Sequence, residues 1–164
     1  MNDSGQYFVP GSGVRAILDE VRSFGHQELE TGGFLMMPRD ETTVSTVALS
    51  GTSGIVRRHN LFQISARALD RLFTYAAAHD LWIPIQFHSH GIGAFLSHAD
   101  ETYGLCVEGF ISVVIPYFAQ PPADMSAWGW WQYTEGQWLE RMAAKDADGE
   151  ISVVSFDEDG VHAC

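Results

Sequence analysis

The sequence predicts an α/β fold, an α-β-α sandwich around a mixed, curved sheet, built as one domain over residues 1–164. Three observations predict it. Two stretches carry apolar residues at helical spacing, and several short runs rich in β-branched and aromatic residues read as strands. The two kinds of element are mixed without the strict strand–helix alternation of a doubly wound sheet. With 164 residues, 46% apolar and 12% aromatic, the chain has the size and the material for one core.

After a short apolar start, "YFV", the segment "SGVRAILDEVRSFG" puts Val14, Ile17, Leu18, Val21 and Phe24 on one helical face, with Ser12 as N-cap and Gly25 as the stop. "TGGFLMMPRD" and "TTVSTVALSG" predict two strands of a hairpin that turns around Pro38 to Glu41. "TSGIVRRHNLFQI" is less regular. Ser65 then caps a second helix with Leu69, Leu72, Phe73 and Ala76 on one face. In "LWIPIQFHSH" Ile83, Ile85 and Phe87 alternate with Pro84, Gln86, His88 and His90, so a strand here sends both histidines to one face. Gly91 and Gly93 end it. Ser97 caps a short third helix, "HADETYGLCVEG", with Asp100 in its first turn and Cys106 inside it. "FISVVIPYFA" is a buried strand and "QPPADMS" a loop. "AWGWWQYTEGQWLERM" and "EISVVSF" give further strands around turns at Glu135–Gly136 and Asp148–Gly149.

Net charge is −12, with basic residues scattered apart from Arg57 and Arg58, so no electrostatic footprint for nucleic acid exists. The acidity fits a solubilising surface or a basic protein partner. Lys145 is the only lysine. No run approaches the roughly 20 apolar residues of a membrane span, and "MNDSGQYFVP" has neither the basic start nor the apolar run of a secretory signal. Two cysteines, Cys106 and Cys164, make no disulfide framework. A cytoplasmic location is therefore expected.

The segment "FHSHGIGAFLSHADE" collects the chemistry. His88 and His90 on a strand and Asp100 on the next helix can supply three metal ligands from two rigid elements, which leaves a fourth tetrahedral position open, the pattern of a catalytic zinc site. Each residue also has a structural use: paired histidines pack or face solvent, Asp100 suits a helix N-terminus, and Ser97 caps it. Their conjunction within thirteen residues, His88 to Asp100, favours the metal. His98 beside them is a candidate supporting residue, while His26, His59, His79 and His162 read as surface or loop positions. Trp128, Trp130, Trp131 and Trp138 divide between core and a recognition surface.

The run "HSH" followed by Ser97-His98-Ala99-Asp100, with Glu30-Thr31-Gly32-Gly33 upstream after the first helix, resembles the signature of the JAMM (MPN-type) metallopeptidases, in particular bacterial single-domain members. That motif is a distant glutamate, then His-x-His, a spacer and Ser-x-x-Asp. The likeness runs from the first helix to "FISVVIPYFA". It departs in two places: the spacer Gly91 to Leu96 is six residues where seven is usual, and Gly91 stands where a proline often follows the second histidine.

The resemblance implies the cytidine-deaminase-like MPN fold, with His88, His90 and Asp100 holding Zn²⁺. It makes Glu30 the base that takes a proton from the attacking water and passes it to the leaving amine. Ser97 would donate to the oxyanion. Glu28 is the rival base, two residues away, and the Thr-Gly-Gly that follows Glu30 favours Glu30. The implied activity is a deubiquitinase-like isopeptidase that cuts after the C-terminal tail of a ubiquitin-like protein, in maturation or in removal from conjugates. Its setting would be conjugation machinery with activating and conjugating enzymes, in some cases antiphage defence. The tail would lie beside "TSGIVRRHNLFQI" and the strand from Thr31, with Arg57 and Arg58 free to meet acidic groups on the partner. A peptidase for a sulfur-carrier protein or small peptide adduct, and a non-catalytic metal-stabilised interaction module, are the alternatives.

Overall fold

The computed structural model describes residues 5–164. In chain order the elements are β1 (Phe8–Pro10), α1 (Gly11–Gly25), β2 (Gly32–Pro38), β3 (Thr46–Ser50), β4 (Ile55–Arg58), β5 (Leu61–Ile64), α2 (Ala66–Ala78) and β6 (Leu81–Ser89). They continue as α3 (His98–Tyr103), β7 (Ile111–Ile115), a 3₁₀ turn (Met125–Ala127), β8 (Gly129–Thr134), β9 (Gln137–Glu140), β10 (Lys145–Ala147), β11 (Ser152–Asp157) and β12 (Gly160–Ala163).

Eight strands form one mixed sheet in the order β12-β11-β3-β2-β6-β7-β8-β9, so the fold is α/β as the sequence predicts. Period-2 alternation divides its residues between two faces. Leu35, Met37, Val47, Ile85, Phe87, Ile111, Val113 and Ile115 meet Ile17 and Val21 of α1 on one side. Phe34, Met36, Ala48, Val154 and Phe156 meet Ala68, Leu72 and Ala76 of α2 on the other. Each fully buried aliphatic or aromatic side chain contributes roughly 1.5–3 kcal/mol of burial. The whole is therefore driven by a sheet that is apolar on both sides.

Within the sheet β6 runs parallel to β7. A parallel pair needs a long crossover, and α3 lies in it. The chain that leaves β6 at Ser89 thus returns past the carboxyl end of that strand before entering β7. Ser97 caps α3 with a reciprocal capping box: its hydroxyl accepts from Asp100 N–H at 3.1 Å, and Asp100 Oδ2 accepts from Ser97 N–H at 2.9 Å.

Several local expectations are corrected. The first helix starts at Gly11 with Pro10 at the N-cap position and no side-chain cap, and Ser12 lies inside its first turn, where its Oγ is buried without a partner. Phe73 is exposed, because the stripe of α2 that meets the sheet is Ala68, Leu72 and Ala76. The third helix ends at Tyr103, so Cys106 lies in the irregular stretch after it. "IVRRHNLFQI" is a hairpin of its own, β4 paired with β5, and β10 and β12 add strands at Lys145 and Gly160. The loop at Pro121 contains the 3₁₀ turn.

Candidate metal centre

His88 and His90 stand at the carboxyl end of β6, on the face that α2 covers further along. Both are buried, at 6% exposure each. Backbone bonds fix the strand end: His90 N–H donates to Ile115 O at 2.9 Å, and Phe118 N–H donates to His90 O at 3.0 Å. The His90 ring also meets Phe95 edge-on at 5.1 Å between centroids. From the crossover, α3 brings Asp100 Oδ2 to 3.2 Å from both His88 Nε2 and His90 Nε2, while the two nitrogens lie 3.1 Å apart.

Three electron-pair donors thus form a nearly equilateral triangle, and all their ligating atoms lie within 4.8 Å of one another. Ligands 2.0–2.1 Å from a tetrahedral ion sit about 3.3–3.4 Å apart along each edge. The triangle fits that edge. Two imidazoles and one carboxylate are also a donor set that suits zinc. His88, His90 and Asp100 could therefore hold a metal ion.

Glu30 reaches the same place from another direction. It precedes β2, where Glu30 N–H donates to Arg58 O of β4 at 2.8 Å, and Thr31 and Ser89 lock the segment to the end of β6. Thr31 N–H donates to Ser89 Oγ at 2.9 Å, and Ser89 N–H donates to Thr31 O at 2.9 Å. Gly32 faces His88 across the ladder. A Cβ there would strike the Phe87 carbonyl and the Phe62 ring of β5, so the glycine lets the hairpin close over the strand end. Glu30 Oε1 ends 3.9 Å from His90 Nε2, outside the triangle. Glu28, the rival base, is exposed, with φ 58° in the turn after α1, and is not on a strand.

Burial pushes the Glu30 carboxyl up to about 7; the nearby His90 opposes the shift and Asp100 adds to it. Burial would raise Asp100 as well, yet hydrogen bonds from His88 and His90 hold it far below the usual carboxylate range. His90 is raised although burial disfavours its charge, because Asp100 and Glu30 face it. The site thus contains one carboxylate that stays ionised and one that exchanges a proton near neutrality.

All five predicted site residues line one cleft of about 800 Å³, with Ser97 on its rim beside Asp100. Its far wall is the β4–β5 hairpin, including His59, Leu61 and Phe62. Arg57 does not face a partner. Its guanidinium is buried, stacks over Phe24 at 4.0 Å, and donates to Thr31 Oγ1 at 3.0 Å, Ser50 O and Gly51 O at 2.6 Å and Ser50 Oγ at 2.8 Å. Glu20 of α1 lies 3.9 Å away. This network, which sequence reasoning missed, ties the hairpin to the residue after Glu30.

His98 is exposed, as are His26, His59, His79 and His162. Trp128 and Trp130 are core residues whose indole N–H groups donate to Pro122 O and Met125 O at 2.8 Å.

No family model matches the chain, and no curated protein is similar to it. Among solved structures it is similar to the solution structure of protein DSY2949 from Desulfitobacterium hafniense, at 16% identity over 88% of this chain and 94% of that one, with a TM-score of 0.62. That likeness is one of fold. The crystal structure of AF2198, a JAB1/MPN domain protein from Archaeoglobus fulgidus, matches at 14% identity over 88% of this chain and 99% of that one, with a TM-score of 0.47.

Proposed function

We propose that the protein is a zinc-dependent peptidase of the JAMM type, which cuts after the C-terminal tail of a ubiquitin-like protein. One observation carries this reading: a two-histidine, one-aspartate triangle with a buried glutamate just outside it, 3.9 Å from His90. A structural zinc site is closed by four protein ligands. Here three converge, and the next carboxylate stands back.

His88, His90 and Asp100 would hold the zinc, which would supply Lewis acidity toward a carbonyl and lower the pKa of water toward about 7. The chain's own residues do the rest. Glu30 Oε1 accepts the proton of the attacking water and returns it to the leaving amine. Ser97 Oγ accepts from Asp100 N–H, and its own hydroxyl proton remains free to be donated to a developing oxyanion. Asp100 stays ionised throughout.

The substrate tail lies extended in the cleft, against the hairpin strand Leu61–Ile64. An added strand gives main-chain hydrogen bonds without demanding particular side chains. The setting that suits such an enzyme is the cytoplasm, among the activating and conjugating enzymes of a ubiquitin-like modifier.

Glu30→Gln tests the assignment, since it keeps shape and removes the proton acceptor. Zinc content should stay near one per chain while turnover of a ubiquitin-like protein carrying a C-terminal peptide extension falls by about 10²- to 10⁴-fold. Glu28→Gln, on an exposed turn, should turn over like the parent. If Glu28→Gln is the variant that fails, or if Glu30→Gln is fully active, Glu30 is not the base.

A further inference from the structure

The cleft continues past the metal centre along β6. Two residues before His88, on the same face, stands Gln86, and the ladder aligns Phe34, Gln86 and Ser112 side by side across β2, β6 and β7. All three line the cleft that contains Glu30, His88 and Asp100. Phe34 is wholly buried and Ser112 is 9% exposed. No described residue hydrogen-bonds to the Gln86 amide or the Ser112 hydroxyl. Neither is sealed off, since the one unpaired and fully enclosed side-chain polar atom among the described residues is Ser12 Oγ. An amide and a hydroxyl therefore face the cleft with no partner among the described residues.

On a sheet face that is otherwise apolar, such groups are held by water until a ligand group replaces it. The walls around them are Ile55, Ile64, Leu69 and Leu105, while the ionisable lining residues are Glu30, Asp100 and the histidines of the metal end and the hairpin turn. Beyond those, no ionisable side chain lines the cleft among the described residues, and the Glu158 carboxylate nearby is already paired, accepting from the lining Ser65 hydroxyl at 2.8 Å. A carboxylate or ammonium entering the inner end would lose hydration without gaining a counter-charge. A purely apolar side chain would leave Gln86 and Ser112 unpaired. A group that both donates and accepts, on a short apolar stem, satisfies floor and walls together.

We propose that Gln86 and Ser112 floor a specificity subsite that takes an uncharged hydrogen-bonding side chain, a carboxamide or a hydroxyl, from the substrate. That the group belongs to a polypeptide rests on the peptidase reading above; the preference for a neutral amide or hydroxyl does not. The subsite lies two strand residues, about 7 Å, from His88. It selects one residue close to the bond that is cut.

The experiment uses zinc-loaded, isotope-labelled protein titrated with butyramide, butyrate and butylamine, read at the Gln86 side-chain amide and the Ser112 backbone amide by NMR. Butyramide should move both signals saturably and bind at least about tenfold more tightly than either charged analogue. Ser112→Ala should weaken it, and Gln86→Leu should abolish the shift at Ser112. Equal binding of the three compounds, or no response at Gln86 and Ser112, overturns the subsite.

Cleavage of a positional library of quenched fluorogenic peptides separates this from the peptidase reading. Gln, Asn or Thr should be preferred over Glu, Lys and Leu at one position, and Gln86→Leu should turn that preference toward Leu with zinc content unchanged. Butyramide binding with no peptide cleaved leaves the subsite standing and removes the peptidase. Cleavage without selection, and without butyramide binding, does the reverse.

Discussion

The two faces of the sheet are written by the same strands and differ in what they tolerate. Toward α1, Leu35, Ile85, Phe87, Ile111, Val113 and Ile115 form an unbroken apolar layer. Toward α2, the apolar layer of Phe34, Met36 and Phe156 stops partway along β6 and β7, where Gln86, Ser112 and His88 replace it. Alternation makes each residue on one face the immediate neighbour of a residue on the other. The dry face therefore contributes packing, with Phe87 buried in it, while on the polar face the two histidine nitrogens lie 3.1 Å apart.

Neighbouring substitutions on β6 sharpen that contrast most. His88→Ala should remove stoichiometric zinc and all measurable peptidase activity, while lowering the unfolding free energy in chelator by less than a large core truncation does, through its lost contact with Asp100. Phe87→Ala should do the opposite, costing roughly 3–5 kcal/mol with zinc per folded chain preserved. Metal analysis and urea unfolding on both variants check it. A Phe87→Ala protein that is stable but cannot hold zinc would show that the two faces do not divide the work in this way.

The same division explains what the sequence disclosed. β6, the capping box of α3 and the β2–β3 hairpin rest on local signals, namely period-2 alternation, Ser three residues before Asp, and a turn at Pro38 to Glu41. Those signals place His88, His90 and Asp100 on the elements that bring them together. The other half of the site was less open to local signals. Glu30 was legible only through the family resemblance, because its place depends on Thr31 meeting Ser89 across 58 residues, and the role of Arg57 was hidden in contacts with Thr31, Ser50 and Gly51. An arginine beside another arginine looks like a surface pair until the fold supplies five acceptors around it. Gln86 looked like the polar half of an alternating strand, and only the cleft shows which way that half faces.

Arg57→Lys probes the hidden half with a smaller effect. Lysine keeps the charge but not the planar fork, so most of those hydrogen bonds to Thr31, Ser50 and Gly51 are lost. Stability should fall by about 1–3 kcal/mol. Zinc content should hold, because the three ligands sit on β6 and α3, while turnover drops as Glu30 loses its anchored neighbour Thr31. Zinc loss in step with activity would mean that the hairpin network supports the metal ligands and not the base.

The smallest effect is expected at Cys106. It follows α3 on an exposed stretch, and its thiol makes one long contact, Sγ–H to Glu101 O at 3.7 Å. The α3 capping box that holds Asp100 lies at the other end of the helix and does not involve it. Serine keeps the size and the donor, so Cys106→Ser should shift stability by no more than about 0.5 kcal/mol and leave both zinc content and turnover at the parent's level. The comparison matters because a thiol is an alternative nucleophile for peptide cleavage, and Cys106 directly follows Leu105, which lines the cleft. A Cys106→Ser protein that folds, binds zinc and has lost its activity would move the chemistry from the metal triangle to the sulfur.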